Sequence, residues 1–225
     1  MSIKDVLFDL DGVITDTARY HFLAWKELCD KNGFHFTEKD NERLKGVSRR
    51  RSLEIILEIN GVSGMYDEAT LSAMETEKND LYVQLIRQMT PDDVLPGVSS
   101  FLAECRAAGL RLAVASASRN AFTVLEGLQL LSAFDYVADA GRISRTKPDP
   151  EVFLDCAAAL DLPPEKCIGV EDAQAGIEAI KAAGMFAVGI HVDVTTIAPD
   201  LPLASTEELS LTRISDAYGK RAQLL

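Results

Sequence analysis

The sequence predicts an α/β fold: a parallel sheet wrapped by helices and interrupted once by a helical insert. Three observations carry that expectation. Short apolar runs recur at Val6-Leu7-Phe8, Leu112-Ala113-Val114-Ala115, Cys167-Ile168-Gly169-Val170 and Phe186 to Ile190. Continuous apolar runs of this length suit strands buried on both faces. From Pro96-Gly97 onward such runs alternate with helical patterns, the sequence form of strand–helix–strand units. Between the first run and Pro96 the pattern is helical throughout, with no second strand.

In chain order, strand one enters at Val6 and is expected to end near Asp11, with Gly12 as the break. Thr17 to Asn32 is amphipathic, with Phe22, Trp25, Leu28 and Cys29 at helical spacing, and Gly33 closes it. Ser48 reads as an N-cap for a helix over Leu53 to Ile59, with Gly61 beyond. Asp67 to Met89 carries Leu71, Met74, Leu81, Leu85 and Ile86, and Thr90-Pro91-Asp92-Asp93 breaks it. The later helices are expected over Val98 to Ala108, Ala121 to Leu131, Glu151 to Leu160 and Ala173 to Ala183. The later strands are expected over Leu110 to Ala115, Tyr136 to Ala138, Ile168 to Val170 and Phe186 to Ile190. The domain boundaries follow: a core of residues 1–16 and 92–225, and a helical cap of 17–91. An insert at that point adjoins the acids of strand one, where a lid can exclude water during chemistry.

The chemistry-bearing residues sit at strand ends. Asp9 and Asp11 follow the first apolar run, and side chains i and i+2 of a strand share a side. Two carboxylates facing one site repel unless a cation lies between them or one holds a proton. Either arrangement serves phosphoryl transfer, with one acid as nucleophile and the other as proton shuttle. Taken alone, Asp-x-Asp-Gly also reads as an ordinary capped turn. Ser116 ends the second strand, Lys147-Pro148-Asp149-Pro150 precedes a helix, and Glu171-Asp172 ends a third strand. Open α/β sheets place ligands at these carboxyl ends. The Lys147–Pro148 bond is a candidate for the cis form.

Asp-x-Asp, then Ser, Lys and Glu-Asp, in this order and at these strand ends, resembles the haloacid dehalogenase superfamily of phosphotransferases. The resemblance spans the chain and implies a HAD-like Rossmannoid core with a parallel sheet plus an inserted α-helical cap domain. The insert narrows it. Thr17, His21 and Trp25 are spaced i, i+4, i+8 and share one helix face. Leu44-Lys45-Gly46-Val47-Ser48-Arg49 is a glycine turn before a helix start, suited to an oxyanion or phosphate. Ser116-Ala117-Ser118-Arg119-Asn120 is a second such cluster, and Lys78-Asn79 lies on the long helix. The plain alternatives are a core Trp25, a solvated His21, a solvated Arg49-Arg50-Arg51 run and a surface Lys78.

Together these segments resemble the beta-phosphoglucomutase family. That resemblance implies interconversion of beta-D-glucose 1-phosphate and beta-D-glucose 6-phosphate through an aspartyl-phosphate enzyme and glucose 1,6-bisphosphate. It implies Asp9 as nucleophile and Asp11 as general acid and base. It implies Mg²⁺ held by Asp9, the Asp11 carbonyl and Asp172, with Glu171 beside them. Ser116, Ala117 and Lys147 would grip the transferring phosphate. Arg49, Ser118, Arg119 and Asn120 would hold the other. Thr17, His21, Trp25, Gly46, Val47, Ser48, Arg49 and Lys78 would meet the sugar. The implied partners are a sugar phosphate and glucose 1,6-bisphosphate, or another phosphoryl donor, as primer. Arg119 departs from the lysine common there, and His191 stands where glycine is expected.

Bulk properties agree. The 225 residues suffice for a core domain plus a small insert. The formal charge of −12 argues against a nucleic-acid partner. No apolar run is long enough to span a bilayer, so no membrane partner is expected. The first residues enter a strand without a signal-peptide pattern. Cys29, Cys105, Cys156 and Cys167 form no CxxC pair and read as buried reduced thiols. A cytoplasmic monomer is the expectation. Two enzymatic alternatives stand beside it: a sugar-phosphate or other small-molecule phosphatase with the same insert, and a mutase acting on another sugar phosphate. A non-catalytic binding module is opposed by the presence of every catalytic carboxylate.

Overall fold

The computed structural model describes residues 3–44, 49–192 and 198–222. In chain order the elements are β1 (Asp5–Phe8), α1 (Ala18–Asn32), α2 (Glu38–Asn41), α3 (Arg49–Ile59), α4 (Glu68–Ile86), α5 (Val98–Ala107), β2 (Arg111–Val114) and α6 (Ala121–Gly127). There follow β3 (Tyr136–Val137), α7 (Glu151–Ala159), β4 (Cys167–Glu171), α8 (Gln174–Ala182), β5 (Phe186–Ile190), β6 (Leu201–Leu203) and α9 (Leu211–Ala222). Contacts divide the chain into two compact units, Met1–Asp16 with Met89–Leu225, and Thr17–Gln88.

The first unit is a wholly parallel six-stranded sheet in the order β3-β2-β1-β4-β5-β6. Leu7 lies opposite Ala113 on one side and Gly169 on the other. Every residue of β1, β4 and β5 is buried, as strands covered on both faces must be. Leu7, Phe153, Ile177, Ile180 and Met185 are among the apolar side chains closing one face. Each such side chain contributes about 1.5–3 kcal/mol by leaving water. At Gly169 a side chain would run into Ile180, so α8 rides directly on the strand backbone. From β1 the chain runs outward to β2 and β3, then returns from β3 to β4 on the other side of β1. The switch point, where such sheets bind ligands, therefore lies at the carboxyl end of β1.

The second unit, Thr17–Gln88, holds α1 to α4 around its own core of Trp25, Leu28, Phe36, Leu53, Ile56 and Met74. Gly33 takes a φ of 70° and closes α1, as the sequence predicts. Asp67 caps α4 by accepting from the Thr70 amide at 2.8 Å.

Several boundaries differ from those predicted. β1 stops at Phe8, because Leu10 to Thr15 fold back in a tight turn through Gly12 at a φ of 75°. α6 ends at Gly127, where Gln129, at a φ of 57°, turns the chain away without a glycine to signal it. α4 ends at Ile86. α3 begins at Arg49; Ser48, the predicted cap, lies outside the described residues. β6 carries Pro202, which an edge strand tolerates. His191 adopts a φ of 55°, which accounts for the glycine expected there. Among the described residues no helix is long and apolar enough to cross a membrane.

Candidate active site

Asp9 leaves β1 still tied to its neighbour, its amide donating to the Val170 carbonyl at 2.9 Å. The side chain is buried. Its carboxylate accepts from Lys147 Nζ at 2.5 Å, and the same ammonium donates to Glu171 Oε2 at 2.7 Å. Lys147 enters from the loop before α7, where the Lys147–Pro148 bond is cis. Its ammonium lies 5.0 Å from the centre of the buried Phe153 ring. Thus residues from β1, the α7 loop and the end of β4 meet at the switch point.

Glu171 is fixed on both oxygens. Oε1 accepts from the amides of Asp172 and Ala173, each at 3.1 Å, and Oε2 faces Lys147. Two glycines make room for these acids. A side chain at Gly12 would overlap the Asp172 carboxylate, and one at Gly176 would overlap that of Glu171. Gly176 is helical, in α8. Ala there favours the helix by about 0.8–1.0 kcal/mol. Gly176→Ala is therefore expected to keep the fold but push Glu171 off Lys147. Phosphoryl transfer should fall by on the order of 10²-fold, the effect of an ångström of misplacement. Circular dichroism with single-turnover kinetics checks this. An unchanged rate would show that the Glu171 carboxylate can move without consequence.

The electrostatics call for positive charge. Burial, then the charge of Glu171, raises the Asp9 carboxyl to about 6 against the pull of Lys147. Burial, then Asp9, raises Asp172 to about 6, and Asp11 adds to the repulsion. Burial raises Glu171 as well. Lys147 is held fully charged because Asp9 and Glu171 outweigh its own burial. One ammonium thus serves a cluster of acids. Asp9, Glu171 and Asp172 each offer an oxygen within 4.8 Å of the others. Hard oxygen donors with excess negative charge fit a divalent cation such as Mg²⁺. Asp11, half-buried on the turn, pairs through its backbone with Thr15.

At the end of β2, Ser116 is buried and its Oγ accepts from the Ser118 amide at 3.1 Å. Ser118 Oγ in turn accepts from the Asn120 amide at 3.3 Å. These turns shape the segment leading to α6, with Ala117 and Arg119 exposed on it.

Within the helical unit, α1 and α4 assemble a second cluster. His21 stacks on Tyr82 with ring centres 4.0 Å apart, and His21 Nδ1 lies 2.6 Å from Lys78 Nζ. A charged Lys78 donates to Nδ1, which requires the His21 proton on Nε2. Lys78 is buried rather than solvated, 5.1 Å from the Trp25 ring centre and 4.9 Å from that of Tyr82. Burial, then the charge of Arg49, lowers its ammonium to about 7. Its surroundings and the Lys78 charge keep His21 neutral, well below the usual imidazole range. Trp25 belongs to the unit's core while turning its ring to Lys78. Thr17 is buried at the N-cap of α1. Arg49 donates to Asn79 Oδ1 at 2.7 Å. Gly46, Val47 and Ser48 lie outside the described residues.

The structure brings Asp9, Lys147, Glu171 and Asp172 together, and His21, Trp25 and Lys78 together. Sequence reasoning missed Tyr82, Phe153 and Gly176, and named Asn79 without its contact to Arg49. Tyr82 was within reach, since it follows Lys78 by one helical turn just as Trp25 follows His21.

A family model for haloacid dehalogenase-like hydrolases matches residues 3–184. A beta-phosphoglucomutase of Bacillus subtilis (strain 168) is 43% identical over 216 residues, 96% of each chain. Hexitol phosphatase B of Escherichia coli (strain K12) is 35% identical over 215 residues, 95% of each chain. The crystal structure of a beta-phosphoglucomutase from Clostridium difficile superposes with a TM-score of 0.85 at 42% identity. It covers 98% of this chain and 99% of its own.

Proposed function

The chain belongs to the haloacid dehalogenase-like hydrolase family, and from that premise we propose that it is a phosphotransferase interconverting beta-D-glucose 1-phosphate and beta-D-glucose 6-phosphate. The observation that carries the reading is the buried Asp9 carboxylate aligned by Lys147 beside Glu171 and Asp172. It is joined by near full-length likeness to mutases of that name.

In this reading the unit carrying Asp9 is the catalytic core, and the helical unit selects the substrate. Asp9, the Asp11 carbonyl and Asp172 would hold Mg²⁺, with Glu171 beside them. A cation held there would supply positive charge opposite the phosphoryl oxygens. An Asp9 oxygen attacks phosphorus, the bond to the donor oxygen breaks, and Asp11 delivers a proton to that oxygen. The 6-hydroxyl of beta-glucose 1-phosphate then attacks the aspartyl-phosphate, Asp11 takes its proton, and the Asp9–phosphorus bond breaks. The resulting 1,6-bisphosphate returns its 1-phosphate to Asp9, which leaves glucose 6-phosphate and a phosphorylated enzyme. Lys147, Ser116 and the Ala117 amide hold the transferring group. Ser118, Arg119, Asn120 and Arg49 hold the remote phosphate, and His21, Trp25 and Lys78 meet the sugar. A bisphosphate or another phosphoryl donor primes Asp9. Four buried thiols suit the reducing cytoplasm.

Phosphorus NMR tests this on a panel of alpha- and beta-sugar 1-phosphates with Mg²⁺ and glucose 1,6-bisphosphate. The expected result is conversion of beta-glucose 1-phosphate to glucose 6-phosphate with little inorganic phosphate, stopped by a chelator and restored by Mg²⁺. Release of inorganic phosphate as the main product would favour a phosphatase, as in the hexitol phosphatase relative. Turnover of another sugar in preference would overturn the glucose assignment. Full activity in chelator, with metal absence verified, would remove the cation.

A further inference from the structure

The loop that delivers Lys147 is held by two acids with no part in the chemistry above. Glu151, in the first turn of α7, points its carboxylate back along the chain. Oε1 accepts from the Ser144 amide and Oε2 from the Arg145 amide, each at 2.8 Å, and Arg145 Nε adds a third contact at 3.3 Å. These amides hold its carboxyl below the usual range. On the other side of Lys147, Asp149 Oδ1 accepts from the Glu151 amide at 3.0 Å, and Asp149 Oδ2 pairs with Arg145 at 3.0 Å. The Asp149 amide donates to the Thr146 carbonyl at 3.1 Å. Lys147 is thus the apex of a ring closed on both flanks. An exposed ion pair alone is worth little, but a carboxylate accepting two backbone amides fixes the path of the chain itself.

We propose that Glu151 is the positioning residue for Lys147: its carboxylate clamps Ser144 and Arg145 so that the lysine reaches Asp9 and Glu171 together. The proposal rests on the reading of Lys147 as the group that aligns Asp9 and the transferring phosphate. A side chain on one flank of a loop can serve that purpose because a long, flexible lysine loses alignment whenever its backbone anchor wanders. Burial of the ammonium leaves it few compensating positions.

A double-mutant cycle tests it in the full-length protein. Phosphoenzyme formation from acetyl phosphate, which requires no sugar, is followed in Glu151→Ala, Glu151→Gln, Lys147→Ala and Lys147→Ala/Glu151→Ala. Glu151→Ala should slow formation by about 10–10²-fold, with amide hydrogen exchange rising at Ser144 and Arg145 while the sheet amides stay protected. Glu151→Gln keeps one acceptor and should lose less. On the Lys147→Ala background the Glu151 change should cost nothing further, because its effect runs through the lysine. A full additional loss on that background, or an unchanged rate in Glu151→Ala, would overturn the proposal. If Lys147→Ala itself transfers phosphate normally, the reading of Lys147 fails first, and the assignment of Glu151 fails with it.

Discussion

Replacing Asp9 by Asn is expected to abolish phosphoenzyme formation and turnover altogether, with the fold intact. The amide is isosteric and cannot serve as the attacking carboxylate. Lys147 would keep one carboxylate partner in Glu171 at 2.7 Å, so the substitution leaves no ammonium buried alone. It also removes a charge that raises the Asp172 carboxyl. The variant should therefore be as stable as the parent or more so, which separates lost chemistry from lost structure. Asp11→Asn provides the contrast. Its backbone carbonyl remains, and the expected loss is the proton-transfer contribution, about 10²–10⁴-fold. Mass spectrometry of the protein after acetyl phosphate, with thermal melting alongside, checks both. Label on the Asp9→Asn protein would remove Asp9 as nucleophile, and a near-normal rate in Asp11→Asn would remove Asp11 from proton transfer.

What the sequence made legible was what local pattern controls. The apolar runs of β1, β2, β4 and β5 announced buried parallel strands because each needs cover on both faces. Once those were placed, Asp9, Ser116 and Glu171 fell at strand ends by counting. The rest depends on which distant residues meet. Nothing in Glu151 or Asp149 distinguishes a loop clamp from ordinary turn acids until their carboxylates are seen on the amides of Ser144 and Glu151. Gly176 reads as a mildly unfavourable helix residue, and only the Glu171 carboxylate pressed against it supplies the reason. Lys78 reads as surface because a lone lysine on a helix with a weak apolar stripe usually is. Its burial follows from the pairing of α1 with α4, which brings His21 and Trp25 against it beside Tyr82 of its own helix. α9 was visible in the i, i+3, i+7 spacing of Leu211, Ile214 and Tyr218, a helical stripe left unread.

The Arg49-Arg50-Arg51 run shows how the structure sorts residues that the sequence leaves equal. Arg50 pairs with Glu68 and Glu75, and Arg51 with Glu54 and Glu58. Arg49 donates to the neutral amide of Asn79, and among the described residues no carboxylate pairs with it. In the proposed reading its charge meets an anion, whereas those of its neighbours meet carboxylates. If that anion is the remote phosphate, Arg49→Ala should cut mutase turnover by about 10–10²-fold, the worth of a hydrogen bond between charged groups. Hydrolysis of acetyl phosphate, which has no second phosphate, should be nearly unchanged. Arg49→Lys should recover little, since a point charge does not replace a planar fork. The neighbouring lysine guards the interpretation. Arg49 helps to lower Lys78 to about 7, so removing it raises Lys78 and leaves more of that ammonium charged at neutral pH. A selective loss of mutase activity therefore could not be blamed on a discharged Lys78. Steady-state assays of the two reactions on the same preparations decide the matter. Small, equal losses in both would mean that Arg49 is a solvated surface charge and that discrimination between sugar and water comes from elsewhere.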